Sequence, residues 1–361
     1  VRISISAPRR LLLVKPSSFG DIVNALPALS ALRRGWPETA IDWIVKPEWA
    51  PLLQNHPMLH EVLPFPGNLR EWKRSIGELR RRAYDMIIDL QGLFRTGFLG
   101  VVSGSRARAG FAEGREGSRW LYTHPVPTSG ASVHVVERNL EVIRALGIST
   151  DGVRDFPLAQ DAEAEAWVER LWAQEQIKTG EIVCFVHPGT RRETKLWPAE
   201  RFAALLDRLT ATPGYRVVLI GGENERNQFD NGGSETGARP IDLMGRTTLP
   251  QLVALTRRAA GLVTNDSGPM HLAAALGIPV VALFGPTDPR RVGPYGSGHV
   301  VLRKDVDCSR CSRHRCVKNS QCMKAIQVDE VYAAVTGRLK RTAGNEQQTP
   351  HEREAVGERR F

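Results

Sequence analysis

Gly261-Leu-Val-Thr-Asn-Asp-Ser-Gly-Pro-Met-His-Leu-Ala-Ala-Ala-Leu-Gly-Ile-Pro-Val-Val-Ala-Leu-Phe284 contains two short apolar runs separated by a helical pattern. Gly261–Thr264 reads as a strand, and Asp266-Ser267-Gly268 as a turn. A helix follows from about Pro269 to Leu276, and Val280–Phe284 is a second strand. A strand, a crossover helix and another strand form the unit from which parallel sheets are built. Working outward, the same alternation continues. In the second half it adds strands at Ile182–His187 and Arg216–Gly221, with helical patterns at Ala199–Thr210 and Leu249–Arg258. In the first half it gives strands at Arg10–Lys15, Ala40–Val45, Met86–Leu90 and Ala107–Phe111, and helices at Asp21–Arg34 and Leu69–Arg82.

Two such series predict an α/β protein with two Rossmann-like domains facing each other across a cleft. The expected boundaries are an N-terminal domain over 1–158, a connection over 159–180, and a C-terminal domain over 181–341. A polar, aperiodic tail over 342–361 is expected to be disordered. The length of 361 residues agrees, since one hydrophobic core seldom serves so long a chain. With 42% apolar and 24% charged residues, collagen-like, mucin-like and wholly disordered classes are excluded. No apolar run approaches the roughly 18–20 residues that span a bilayer. No signal-peptide pattern opens the sequence, so a cytoplasmic location is expected.

The net charge of +10 is unevenly placed. Residues 1–150 hold 20 Lys/Arg against 13 Asp/Glu, and residues 151–361 hold 29 against 26. The densest basic run is Arg70, Lys73, Arg74, Arg80, Arg81 and Arg82, on one helical pattern. It reads either as a solvated helix face or as a patch for an anionic partner. No zinc-finger, RRM or KH signature accompanies it, so nucleic acid is not the expected partner.

In open α/β sheets ligands bind beyond the carboxyl ends of the strands, so the loops there carry the candidate chemistry. The first is Lys15-Pro-Ser-Ser-Phe-Gly-Asp21. Gly20 permits a tight turn, and Asp21 falls where a helix dipole favours a carboxylate. Asp21 reads as a general base, or Ser18 and Asp21 as helix caps alone. Neither Gly-x-x-x-x-Gly-Lys-Ser/Thr nor Gly-x-Gly-x-x-Gly is present here. In His187-Pro-Gly-Thr-Arg-Arg-Glu-Thr-Lys-Leu-Trp-Pro198, Thr190 and Lys195 supply a hydroxyl and an ammonium suited to phosphate. Asp266-Ser267-Gly268 opens a helix whose free amides attract anions. Asp266 can accept from sugar hydroxyls or orient His271, which is otherwise a structural histidine. Leu283-Phe-Gly-Pro-Thr-Asp-Pro289 is a further turn-rich loop, and Thr287 and Asp288 are cap or site residues. Glu223 in Gly221-Gly-Glu-Asn-Glu225 is the candidate for ribose hydroxyls.

In this order the motifs resemble the ADP-heptose:lipopolysaccharide heptosyltransferase family, glycosyltransferase family 9, of GT-B fold. The resemblance runs from about Arg10 to Val335. It rests on Ser18-Phe-Gly-Asp21 with Leu26-Pro-Ala-Leu29, Asp89-Leu-Gln-Gly92, Lys195-Leu-Trp-Pro198, Asn265-Asp-Ser-Gly-Pro-Met-His271 and Phe284-Gly-Pro-Thr-Asp288. It implies transfer of heptose from ADP-heptose to the Kdo/heptose inner core of lipopolysaccharide, with inversion and without a metal ion. By resemblance Asp21 is the catalytic base and Lys195 the lysine on the donor phosphates. Thr190, Glu223, Asp266, Ser267, Gly268 and His271 bind ADP-heptose, many members having Thr where this chain has Ser267. Ser18, Gly20, Arg70, Lys73 and Arg95 are the acceptor-side candidates, Arg95 being alternatively a surface helix residue. A carboxylated, phosphorylated glycolipid suits the basic first half. The resemblance thus implies a peripheral protein at the cytoplasmic face of an anionic inner membrane. Two alternatives stand beside this one: a relative using another nucleotide sugar or acceptor, and a non-enzymatic basic binding module.

Four of the five cysteines, Cys308, Cys311, Cys316 and Cys322, form C-x₂-C-x₄-C-x₅-C. In a cytosolic protein they read as a structural zinc or Fe–S site, as disulfides, or as free thiols. Cys184, inside a strand, is expected to be buried and inert.

Overall fold

The structure, a computed structural model, describes residues 6–226, 239–308, 311–313 and 315–345. The chain divides into two compact units. The first takes in residues up to Asp161 together with Arg290–Tyr295, and the second runs from Ala162 to Pro289 and onward from Gly296. The segment expected as a connection, 159–180, is therefore mostly part of the second unit. Its helix, Ala162–Gln174, buries Ala164, Val168 and Leu171, and Glu165 and Glu169 pair with Arg257 and Arg258 of the same unit.

The first unit holds a six-stranded sheet of β1 (Arg10–Val14), β2 (Ala40–Val45), β3 (Glu61–Pro64), β4 (Met86–Asp89), β5 (Ala107–Phe111) and β6 (His124–Val126). The second holds β7 (Ile182–His187), β8 (Tyr215–Leu219), β9 (Ile241–Asp242), β10 (Gly261–Asn265), β11 (Val280–Phe284) and β12 (Val300–Arg303). All pairings are parallel. The orders are β3-β2-β1-β4-β5-β6 and β12-β11-β10-β7-β8-β9. Counted within each unit, both are the Rossmann order 3-2-1-4-5-6. Central strands such as Leu11–Val14 and Cys184–Val186 are fully buried because helices cover both faces of each sheet.

In both sheets the strand order reverses where the first and fourth strands of the unit lie side by side. That switch point lies between β1 and β4 in the first sheet and between β7 and β10 in the second. Chains leaving the two strands there diverge to opposite faces and open a crevice at the carboxyl edge. Helix Val328–Asn345 closes the second core through Val331, Val335 and Leu339. The tail expected from 342 thus begins inside this helix, and residues 346–361 lie outside the described residues.

Candidate functional site

In the first unit the chain leaves β1 at Lys15, which is buried and donates from Nζ to the Leu90 carbonyl (2.8 Å). Burial pulls the Lys15 ammonium below its ordinary range, against the opposing pull of Asp21 and Asp89. Ser18 is extended (φ −100°, ψ −176°) and precedes the short helix Phe19–Val23. The Asp21 carboxylate accepts from the Ser18 amide (3.0 Å) and the Ser18 hydroxyl (2.9 Å). Asp21 therefore caps this helix and also stands at the switch-point edge near a buried cation. Gly20 differs from expectation. It is the second residue of the helix and buried, and the extended Ser18 stands at the N-cap.

Asp89, at the end of β4, is a structural hub. It accepts from the Gln91 and Gly92 amides (2.8 and 3.1 Å) and from the Tyr122 hydroxyl (2.7 Å). Burial raises its carboxyl above the usual range despite these donors. Gly92 needs its left-handed φ of +70° to complete this turn. Arg70 and Lys73 are exposed on helix Leu69–Arg82, and Arg95 is exposed with its guanidinium 5.4 Å from the centre of the Phe65 ring. Arg82 does not share their freedom, because Glu61, Glu78 and Asp42 engage it.

In the second unit the expected residues converge on the switch point. Lys195 Nζ lies 2.6 Å from Asp266 Oδ2, and the Thr287 hydroxyl donates to that same oxygen (2.6 Å). Thr190 Oγ1 donates to the Asp266 carbonyl (3.3 Å). Ser267 caps helix Gly268–Ala275, presenting its first amides, and His271 lies on the first turn. The loop is braced from below. Asn265 accepts from the Trp197 amide (3.1 Å) and donates to the Pro188 carbonyl (2.7 Å). Trp197 is buried and donates from its indole to Ile326 (3.0 Å).

Two participants lie outside the sequence expectations. His187, fully buried at the end of β7, contacts Glu225 through Nε2 (3.0 Å) and Ser267 through Nδ1 (3.1 Å). Glu225 also accepts from the Gly222 amide (2.8 Å). Burial pushes its carboxyl up, but the His187 and Gly222 bonds together hold it below the usual range. Glu225 packs so closely on Gly189 that a Cβ there would lie 2.6 Å from its carboxyl carbon. Glu223, the expected ribose ligand, is exposed, and its carboxylate lies over Gly245. The sequence signal available for Glu225 was only its place in the loop after β8.

Cys308, Cys311, Cys316 and Cys322 are free thiols, as is Cys184. Cys316 accepts from the Ser320 amide (3.2 Å), and this and a Lys318 hydrogen bond lower its thiol. Burial raises the Cys322 thiol, and Cys308 and Cys316 add to that as neighbouring charges. Among the described residues no three of these sulfurs converge as ligands; the group that does is Asp42, His60 and Glu61. Asp42 there already accepts from Arg10 and Arg82, so it is a charge-pair network at the opposite edge of the first sheet. The cysteine segment instead touches the loops that follow β7 and β11. The Ser312 amide donates to Pro286 (2.7 Å), and Thr194 to the Arg313 carbonyl (3.2 Å).

Residues 72–321 match the family model of glycosyltransferase family 9 (heptosyltransferase). Lipopolysaccharide heptosyltransferase 1 of Pseudomonas aeruginosa is 32% identical over 329 residues, covering 85% of this chain and 87% of that protein. The crystal structure of a family 9 glycosyl transferase from Veillonella parvula superposes with a TM-score of 0.81 at 23% identity, over 92% of this chain and 97% of the other. The Escherichia coli ADP-heptose LPS heptosyltransferase II superposes with a TM-score of 0.74 at 26% identity, over 92% and 99%.

Proposed function

The chain belongs to glycosyltransferase family 9, the heptosyltransferases, and on that premise we propose that it moves heptose from ADP-heptose to the Kdo/heptose inner core of lipopolysaccharide with inversion. The observation that carries this reading is the cluster of Thr190, Lys195, Asp266 and Ser267 at the second switch point, beneath the helix opening at Gly268. A nucleotide diphosphate is the ligand such a cluster suits. The ammonium offsets charge, the helix amides donate to phosphate oxygens, and Asp266 keeps the lysine in place until the donor arrives.

In the proposed reaction the acceptor hydroxyl attacks the anomeric carbon and gives its proton to Asp21. The bond from that carbon to the ADP phosphate oxygen breaks, and the electron pair leaves with ADP. Charge grows on the diphosphate as the sugar becomes oxocarbenium-like. Lys195 and the amides at Ser267–Gly268 stabilise it without reorganisation. On the base side, two hydrogen bonds from Ser18 fix one carboxylate oxygen of Asp21, so its direction is set before the acceptor binds. Arg70, Lys73 and Arg95 are the cations for acceptor carboxylates and phosphates. A lipid-anchored acceptor puts the reaction at the cytoplasmic face of the inner membrane.

The test is incubation with ADP-heptose and Kdo₂-lipid A, then with the heptosylated acceptor, reading products by mass. Asp21→Ala should lower turnover about 10²–10⁴-fold, the range for loss of a general base, while ADP-heptose binding measured by calorimetry is retained. Wild-type turnover in that variant would remove Asp21 from the role.

A further inference from the structure

We infer that helices Leu69–Arg82 and Phe94–Val102, with the turn Ser118–Leu121, form a docking face for an anionic lipid bilayer. The distribution of exposed apolar side chains points there. Leu69 (74% exposed), Phe94 (49%), Phe98, Val101 and Trp120 (78%) all lie on these three elements, while the other large exposed hydrophobics among the described residues, Val301 and Val317, lie in the second unit. Phe94, Phe98 and Val101 are spaced i, i+4, i+7, so they share one helix face turned to solvent. The face is continuous with its neighbours. Phe94 stacks on Phe98 (6.1 Å), Phe98 meets Trp72 (6.1 Å), and Trp72 meets Phe65 (5.9 Å). The turn carrying Trp120 packs on Gly97, where a Cβ would lie 3.1 Å from Leu121.

The surround of this face is cationic. Arg70, Lys73, Arg74, Arg95 and Arg119 are all exposed, Arg119 lying 4.5 Å from the centre of the Trp120 ring. Of the nearby acids, Glu71 is occupied as a helix-capping acceptor for Gly67 and Asn68, Glu78 is paired with Arg82, and the exposed Glu116 accepts from the Phe94 amide (3.2 Å), so the basic residues outnumber the acids here. Exposed aromatics inside a basic rim match the boundary between acyl chains and anionic headgroups. No helix among the described residues is long and apolar enough to cross a membrane, so the face lies on the bilayer. Leu69 follows β3 and Phe94 follows β4, which puts this surface at the same carboxyl edge as Lys15 and Asp21. A bilayer held there would present headgroup glycans to the base.

The inference extends the proposed function, but its assay contains neither donor nor acceptor, so the two fail separately. The full chain is sedimented with vesicles of phosphatidylglycerol and phosphatidylethanolamine, and with phosphatidylcholine vesicles alone. The wild type should co-sediment with the anionic vesicles and far less with the neutral ones, and high salt should weaken the binding. Leu69→Ser/Phe94→Ser/Trp120→Ser should lose at least about tenfold in partition, as should Arg74→Glu/Arg119→Glu, with circular dichroism and ADP binding unchanged. A wild type that stays in the supernatant, or that binds neutral vesicles equally, would overturn the inference. So would a dimer in sedimentation velocity that the same serine substitutions dissociate, since the face would then serve a second copy of the chain.

Discussion

Lys195 and Asp266 are both largely buried, and each neutralises the other at 2.6 Å. Removing one leaves the other charge buried and unpaired, which costs about 3–5 kcal/mol when the pair is well buried. Lys195→Ala should therefore lower the melting temperature as well as weaken ADP-heptose binding, whereas a purely ligand-facing lysine would affect binding alone. Differential scanning fluorimetry beside calorimetry separates the two. Glu225 gives a pH-dependent counterpart. Its carboxyl is held below the ordinary glutamate range, so it stabilises the fold fully at and above that range and loses that contribution as pH falls through its lowered folded value. Glu225→Gln should be less stable by about 1–2 kcal/mol at neutral pH, and the gap should close in acid. A gap that widens in acid would reverse the sign. These residues also show where sequence reading stopped. Thr190, Lys195, Asp266 and Ser267 were legible because each follows a strand that can be seen as an apolar run. That Glu225 packs on Gly189 and meets His187 depends on which side of one short helical turn faces β7, and no residue pattern encodes that.

At the level of elements, the eight strands legible in the sequence are the four inner strands of each sheet. The four that were not, β3, β6, β9 and β12, are the sheet edges. Inner strands are flanked on both sides and covered on both faces, so they are mostly apolar, with single charged residues such as Asp42 and Arg108, whereas an edge strand such as Glu61–Pro64 or His124–Val126 is short and partly exposed. The cysteine segment is an element of another kind. It seats on β11, where a Cβ on Gly285 would lie 2.6 Å from Met323 Sδ and 2.8 Å from Cys322 Sγ. Gly285→Ala should displace this segment and, through Pro286 and Thr287, loosen Asp266, raising KM for the donor more than it lowers kcat. Thiol chemistry reads the same segment directly. Cys184 is pushed up to about 12 by burial and should stay silent in native protein. Exposed Cys311 and the lowered Cys316 thiol should react first with a disulfide reagent. Silence of both, with one zinc per chain in protein purified without chelator, would instead make the four cysteines a tetrathiolate site.

Over the whole chain, the two units repeat one topology, and each gathers charged side chains at its own switch point, Asp21 near the buried Lys15 in the first and Lys195 paired with Asp266 ahead of helix Gly268–Ala275 in the second. The strand order is what the two units have in common. The boundary between the units is less simple than the sequence suggested. The chain leaves the second unit after Pro289, contributes Arg290–Tyr295 to the first, and rejoins the second at Gly296. Tyr295 fastens this excursion. Its hydroxyl donates to Glu137 (2.5 Å), and its ring contacts His134 (5.1 Å) and Phe156 (5.7 Å). His134 in turn bonds the Gly293 carbonyl (3.0 Å). Burial, and then the Glu137 bond, push the phenol up to about 12, so it remains a donor throughout the neutral range. Tyr295→Ala removes a ring and a charge-assisted hydrogen bond together, and should destabilise the first unit by about 2–4 kcal/mol. Tyr295→Phe keeps the ring and should cost only about 1–2 kcal/mol. Hydrogen exchange distinguishes this from a general loss of stability: protection should fall around Glu137 and Phe156 while β7 and β10 keep theirs. Equal loss in both sheets would mean that the segment is not a private part of the first unit.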